Sequence, residues 1–149
     1  MAIVQIQTTS FKVELLTGIH NFGTGVVRAA TTADTFKIAL YTSDATLNGT
    51  TATYNATNEA SGTGYIAGGN TLAISQVPTS TDTTAFLSFS TTSWASSTIS
   101  ARGALIYNST QGDKSVAVLD FGDTKTTNDQ TLSIEFPTAN SSSAIIRIE

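Results

Sequence analysis

The chain has no cysteine and only one histidine, one tryptophan and two prolines among its 149 residues. Without cysteine, a disulfide framework, a zinc–cysteine site and a thiol nucleophile are excluded. Charged residues make up 12% of the chain, about half the usual share of roughly 25%. No two of the seven basic residues are adjacent, so no basic stripe is present to neutralise phosphates. We therefore expect no nucleic-acid partner.

Targeting and membrane signals are also missing. The first residues, MAIVQIQTTS, lack the basic and apolar regions of a secretory signal. The longest uncharged runs, Ala60–Thr81 and Thr83–Ala101, are too rich in serine and threonine for a membrane span. The sequence thus predicts no membrane partner and synthesis in a cytoplasm.

Hydroxyl residues take the place of the missing charge. Threonine occurs 28 times and serine 17 times, so 45 of the 149 residues carry a hydroxyl group. The hydrophobic fraction is 40% and the net charge is −4, which argues against disorder. A chain of this length with no compositional break predicts a single domain over 1–149.

The N-terminal part predicts an arm and a short helix. Residues 1–9 form a short extended segment, and 10–19 carry an amphipathic stripe that begins at Phe11. Gly18 stands where such a helix ends, which makes His20 the turn histidine that closes it.

From Asp34 onward, the apolar residues recur with a period of two, which is typical of half-buried strands. The strand candidates are 36–41, 52–57, 71–76, 84–89, 98–108, 116–121, 131–136 and 144–148. Within 98–108, the alternation places Ile99, Ala101, Gly103, Leu105 and Tyr107 on one face. Strands without intervening helices predict a mainly β fold over 34–149, an antiparallel sandwich or barrel of jelly-roll or immunoglobulin-like type.

A long polar segment, Thr42–Gly69, interrupts the strand pattern. Only Tyr54, Tyr65 and Ile66 are available to anchor it. Loops of this length in a compact domain are usually functional or contact-making, so the segment is a candidate for reaching an adjacent subunit.

The motifs that would indicate catalysis or metal binding are weak in this sequence. His20 is the only histidine base and no serine lies in a Gly-x-Ser-x-Gly elbow, so we expect no enzyme and no catalytic residues. Asp120-Phe121-Gly122 matches a kinase tripeptide but fits better as a strand end with a glycine turn. The acids Asp113, Asp120, Asp123 and Asp129 do not follow a calcium-loop spacing, so neither a metal nor a cofactor is expected.

Four asparagines stand in Asn-x-Ser/Thr triplets: Asn48, Asn55, Asn108 and Asn140. This number is close to chance in a chain so rich in hydroxyl residues, and no signal peptide accompanies the triplets. We do not interpret them as glycosylation sites.

The candidate interface is assembled from apolar and aromatic residues. The arm supplies Ile3, Val4 and Ile6, which are able to add a strand to a neighbouring sheet edge. Large aromatic side chains anchor interfaces or stack on sugars. Core filling is the expected role of Tyr41 and Tyr107, so Trp94, Tyr54 and Tyr65 are the interface candidates.

Several segments together resemble a family of small virion proteins of tailed bacteriophages. They are Ser10–His20, Asp34–Ser43, Gly62–Tyr65, Ala101–Asn108 and Ala117–Gly122. These segments are spread over most of the chain, and their motifs are structural rather than catalytic. It implies a non-enzymatic virion protein, with the major capsid protein and other virion subunits as partners.

Within that family, the leading hypothesis is a capsid decoration (cement) protein. It would sit on the outer surface of the head as a homo-oligomer, with a trimer favoured, and stabilise the shell. The alternatives are a tail, neck or fibre-associated protein, a glycan-binding module that uses Trp94, and an enzyme that uses His20.

Overall fold

The computed structural model describes residues 3–8, 10–11, 15, 19–24, 33–82 and 84–148. The elements whose full range the structure describes are strands, and the predicted mainly β fold is confirmed. In chain order the strands are β1 (Ile6–Gln7), β2 (Phe36–Tyr41), β3 (Asn70–Leu72), β4 (Ile74–Thr81), β5 (Thr84–Phe89), β6 (Thr92–Ser97), β7 (Ser100–Asn108), β8 (Lys114–Thr126), β9 (Gln130–Ile134) and β10 (Ile146–Ile148).

The strands form three antiparallel sheets. The largest has five strands in the order β1-β8-β7-β2-β3, the second has the order β10-β5-β4, and the third pairs β6 with β9. All ladders among these strands are antiparallel, and the arrangement fits a β-sandwich. Of the short helix predicted over 10–19, Ser10, Phe11 and Leu15 are helical, and residues 12–14 and 16–18 lie outside the described part.

The inner core lies between the five-stranded sheet and the two smaller sheets. It combines Phe36 and Ile38 of β2 with Leu87 of β5, Trp94 of β6 and Ile146 of β10. Side chains at alternate positions of a strand point to the same face, so these strands each contribute every second residue. Burial of this apolar surface is the main stabilising term of the fold.

A second, outer core covers the opposite face of the five-stranded sheet. It contains Tyr41, Leu105, Tyr107 and Val118 from the sheet. Thr42–Gly69, here called the covering loop, packs over this face and contributes Ala45 and Leu47 to the cluster, with Tyr54 packed against it. The segment predicted to reach a neighbour therefore covers its own sheet, and β2, β7 and the middle of β8 are buried on both faces.

Several strand predictions need correction. Residues 52–57 form no strand and contribute only an isolated bridge from Thr53 to Lys114. The candidate 71–76 is divided between β3 and β4, with Ala73 between them. Strand β6 was missed because Trp94 is its only large apolar residue, and β8 continues through Gly122 to Thr126 where a turn was predicted.

The prediction that Ile99, Ala101, Gly103, Leu105 and Tyr107 share one face is wrong. Ile99 and Ala101 lie in the inner core, whereas Leu105 and Tyr107 lie in the outer core. The β7–β8 ladder shifts register between Ala101 and Gly103. Such an irregularity moves every later side chain to the other face.

Candidate interaction surface

The predicted N-terminal arm lies along its own domain. The amide of Val4 donates to the carbonyl oxygen of Leu47 at 3.0 Å. Ile3 forms an isolated bridge with Leu47 and its side chain is 7% exposed, within the outer core. Ile3 is therefore an internal anchor rather than a contact residue.

Farther along the arm, β1 forms the edge of the five-stranded sheet and meets β10, the edge of the three-stranded sheet. The side-chain amide of Gln7 donates to the backbone carbonyl of Arg147 at 2.7 Å. In the described part of the chain, neither β1 nor β10 has a strand partner on its outer side. Unpaired strand edges are templates for pairing with another extended chain.

A groove of about 620 Å³ runs between these two edges. Its walls come from β1, from Ala117–Leu119 of β8 and from Ser143–Ile145 before β10. Val4, Ile6 and Ile148 are 49%, 44% and 46% exposed beside these edges. We call the groove with these three side chains the edge surface. It combines exposed apolar area with unpaired backbone, which is the chemistry of a strand-addition interface.

The aromatic candidates lie elsewhere and are less accessible. Trp94 is 3% exposed, and its ring packs 6.0 Å from that of Tyr65, between centroids. Tyr54 and Tyr65 are half-buried. The expectation that Trp94 offers an exposed contact or a sugar platform is wrong, because its side chain packs within the inner core.

All four tyrosines of the chain converge where the covering loop meets the sheet, two from the loop and two from strands β2 and β7. We call Tyr41, Tyr54, Tyr65 and Tyr107, together with Glu59, the tyrosine cluster. Tyr54 and Tyr65 donate to the two carboxylate oxygens of Glu59 at 2.7 and 2.6 Å. The backbone amide of Gly68 donates to the same carboxylate at 2.7 Å.

The other two tyrosines also hold the loop. Tyr41 donates to the carbonyl of Asn55 at 2.6 Å, and Tyr107 donates to the carbonyl of Gly68 at 2.7 Å. The prediction that Tyr54 and Tyr65 anchor the long loop is thus confirmed, whereas Ile66 is 81% exposed and does not anchor it. The loop is tied down by phenol groups rather than by apolar packing alone.

Every phenol in this cluster is held neutral. Burial raises the pKa of Tyr107 to about 12, with the charges of Asp113 and Glu59 adding to the effect. Burial and the hydrogen bond to Glu59 raise the pKa values of Tyr54 and Tyr65 further. Burial raises that of Tyr41, aided by the charge of Glu59. The folded state therefore requires protonated tyrosines.

This requirement predicts alkaline unfolding. Because the pKa values are raised in the folded state, the stabilisation is complete below pH 10 and is lost as pH rises from 10 through 12. Each tyrosine that ionises only in the unfolded chain adds up to about 1.4 kcal/mol per pH unit to the fall in the free energy of unfolding. We expect phenolate absorbance to appear together with the loss of near-ultraviolet circular dichroism. Tyrosines that ionise well before the structure is lost would contradict this.

His20 is buried and belongs to a polar group in the core. The side-chain oxygen of Asn108 accepts backbone amides from Thr110 and Gln111. Its amide nitrogen therefore faces Asp34 at 2.8 Å and the Nδ1 of His20 at 3.1 Å. Since an amide N–H can only donate, Nδ1 of His20 acts as an acceptor here. His20 therefore links the N-terminal segment to Asn108 at the end of β7. The helix end that it was predicted to close lies outside the described part.

The acidic residues highlighted by the sequence are dispersed. Asp120 pairs with Arg102 and accepts the amide of Gly122 at 2.9 Å, inside β8 rather than at its end. Among the residues that the structure describes, no group of three or more histidines, cysteines or acids is placed to hold a metal ion. In the same residues, no helix has the length and apolar character to span a membrane.

The chain matches no protein-family model, no curated protein and no solved structure.

Proposed function

We propose that this chain is a non-enzymatic structural protein of a tailed-phage virion, a decoration protein that binds the outer surface of the head as a homo-oligomer. The edge surface is the observation that carries the proposal. The phage-like sequence segments support it, because most of them build the sheets that present this surface: Asp34–Ser43 contains β2, Ala101–Asn108 belongs to β7 and Ala117–Gly122 to β8.

The physical role is stabilisation through binding. A protein that binds only the assembled shell stabilises that shell by mass action. Two open strand edges allow main-chain hydrogen bonds with extended segments of capsid subunits, while Val4, Ile6 and Ile148 supply apolar contact area. Arg147 is the one charged residue among the described residues that line the groove, which limits the free-energy cost of desolvating this surface.

Charge placed on the edge surface should weaken binding without unfolding the chain. We expect Ile6→Lys to weaken binding to decoration-free heads by at least about tenfold, because lysine on an edge strand opposes strand addition. Val77→Lys is the matched control, since Val77 is 57% exposed on β4, outside the edge surface. Co-sedimentation with heads measures both variants. Equal binding by Ile6→Lys and the parent chain would remove the edge surface from the proposal.

The stoichiometry of the particle distinguishes the head from the tail. Quantitative mass spectrometry of purified virions should find the chain in a fixed ratio to the capsid subunits, at many copies per head. A few copies that purify with tails would overturn the decoration role and favour a tail or neck protein.

A further inference from the structure

The four Asn-x-Ser/Thr triplets share one local structure. In each, the asparagine Oδ1 accepts the backbone amide two residues later. The donors are Thr50 to Asn48 at 2.8 Å, Thr57 to Asn55 at 2.7 Å, Thr110 to Asn108 at 3.1 Å and Ser142 to Asn140 at 2.8 Å. This is the Asx turn, which asparagine forms readily in loops. The triplets are therefore four copies of one turn, with glycine, alanine or serine as the central residue.

Asn48 differs from the other three because Gly49 follows it. The hydrogen bond from Thr50 closes a ring that contains both the side-chain Cγ of Asn48 and the backbone nitrogen of Gly49. Glycine has no Cβ, so its amide is open to close approach. Within the described part of the chain, the Gly49 amide makes no hydrogen bond. The nucleophile, the Gly49 nitrogen, and the electrophile, the Asn48 Cγ, thus belong to one hydrogen-bonded ring, and the Gly49 amide makes no competing hydrogen bond to a described residue.

A second donor activates the same carbonyl. The hydroxyl of Thr50 also donates to Asn48 Oδ1, at 2.6 Å. Two donors on one oxygen stabilise the negative charge that develops there when a nucleophile adds to Cγ. Asn48 also lines a cavity of about 510 Å³ that opens to solvent, so water reaches the site.

We propose that Asn48 is a site of spontaneous covalent modification through a succinimide. The Gly49 nitrogen forms a bond to Cγ of Asn48 and gives its proton to water. The bond from Cγ to the side-chain nitrogen then breaks, and ammonia leaves after taking up a proton. Water opens the imide at either carbonyl, giving aspartate or isoaspartate. The net reaction converts asparagine and water into an acid and ammonia, with no oxidant or reductant.

The modification affects one contact of the fold in particular, the attachment of the arm to the covering loop. Isoaspartate inserts the Cβ methylene of residue 48 into the main chain, one residue after Leu47. Leu47 is buried and its carbonyl holds the amide of Val4. Ageing at Asn48 therefore loosens the attachment of the arm to the covering loop. This consequence holds whatever partner the chain binds.

The chain supplies its own controls. The purified protein is incubated at neutral pH, and peptide mass spectrometry follows amide-to-acid conversion at each asparagine. Isoaspartate is detected by enzymatic methylation. Conversion at Asn48 should be at least about tenfold faster than at Asn55 and Asn140, which have the same turn but lack the glycine. Equal rates at the three positions would overturn the proposal.

Variants separate the role of the turn from that of the dipeptide. Gly49→Ala should slow the amide-to-acid conversion of Asn48 to the rate measured at Asn55. Thr50→Val removes the hydroxyl donor and should slow conversion about tenfold, whereas Thr50→Ser keeps it. The urea-unfolded chain gives the intrinsic rate of the dipeptide. Folded protein that converts more slowly than unfolded protein would show that the turn protects Asn48, which contradicts the proposal.

Discussion

Replacing Glu59 with alanine is expected to lower the free energy of unfolding by about 3 kcal/mol. The carboxylate accepts hydrogen bonds from the hydroxyls of Tyr54 and Tyr65 and from the amide of Gly68. Removing it leaves three donors without an acceptor under the covering loop. Each unsatisfied buried group costs roughly 1–3 kcal/mol, and water entry through the half-buried site offsets part of the sum.

The measurement is urea unfolding at neutral pH, combined with hydrogen exchange. Glu59→Gln is the matched control, because the amide oxygen still accepts one phenol and the loss should be about 1 kcal/mol. In the alanine variant, protection should fall at the amides of Thr42 and Ala60, which bond to Asn58 and Leu40 across the base of the loop. An alanine variant as stable as the parent chain would show that the carboxylate does not hold the loop.

Substituting Gly69 with alanine is expected to cost about 4 kcal/mol or to prevent folding. Gly69 has a φ of +70°, and a Cβ there would overlap the carbonyl oxygen of Ile38 in β2. The left-handed conformation alone costs an alanine roughly 1–2 kcal/mol. The overlap adds more, because β2 is held between two other strands and has no room to move.

Gly112→Ala separates the two contributions. Gly112 has a similar φ of +67°, but no atom lies within 4 Å of where its Cβ would be. This variant should lose only the conformational part, about 1 kcal/mol in a denaturation curve. If both variants lose the same free energy of unfolding, the close approach of the loop end to β2 does not contribute to the cost of the Gly69 substitution.

The sequence predicts the sheet best where apolar residues are dense. The bounds of β5 agree with the prediction, because Phe86, Leu87 and Phe89 dominate a short run. Strand β6 has a single large apolar residue, and most of β4 is exposed on both faces. Neither strand alternates apolar and polar residues, which is the pattern that identifies a half-buried strand in a sequence. Neither strand was therefore predicted with its observed bounds.

The sequence does indicate the outer core, but the assumption of alternating faces along each strand hides that indication. Ala104–Tyr107 and Val116–Leu119 are continuous apolar runs, which is typical of strands buried on both faces. What covers the second face was not readable from the sequence. The convergence of four tyrosines on Glu59 depends on contacts between a loop and distant strands, and no local pattern encodes such contacts.

The buried position of the single tryptophan gives the molecule its own optical reporter. Trp94 is shielded from water and its indole Nε1 makes no hydrogen bond within the described residues. Its emission should be blue-shifted in the folded state and should arise from one environment. Because its ring lies beside that of Tyr65, which binds Glu59, release of the covering loop alters the surroundings of the indole directly. Fluorescence at a single wavelength can therefore follow the opening of the loop in real time, without any label.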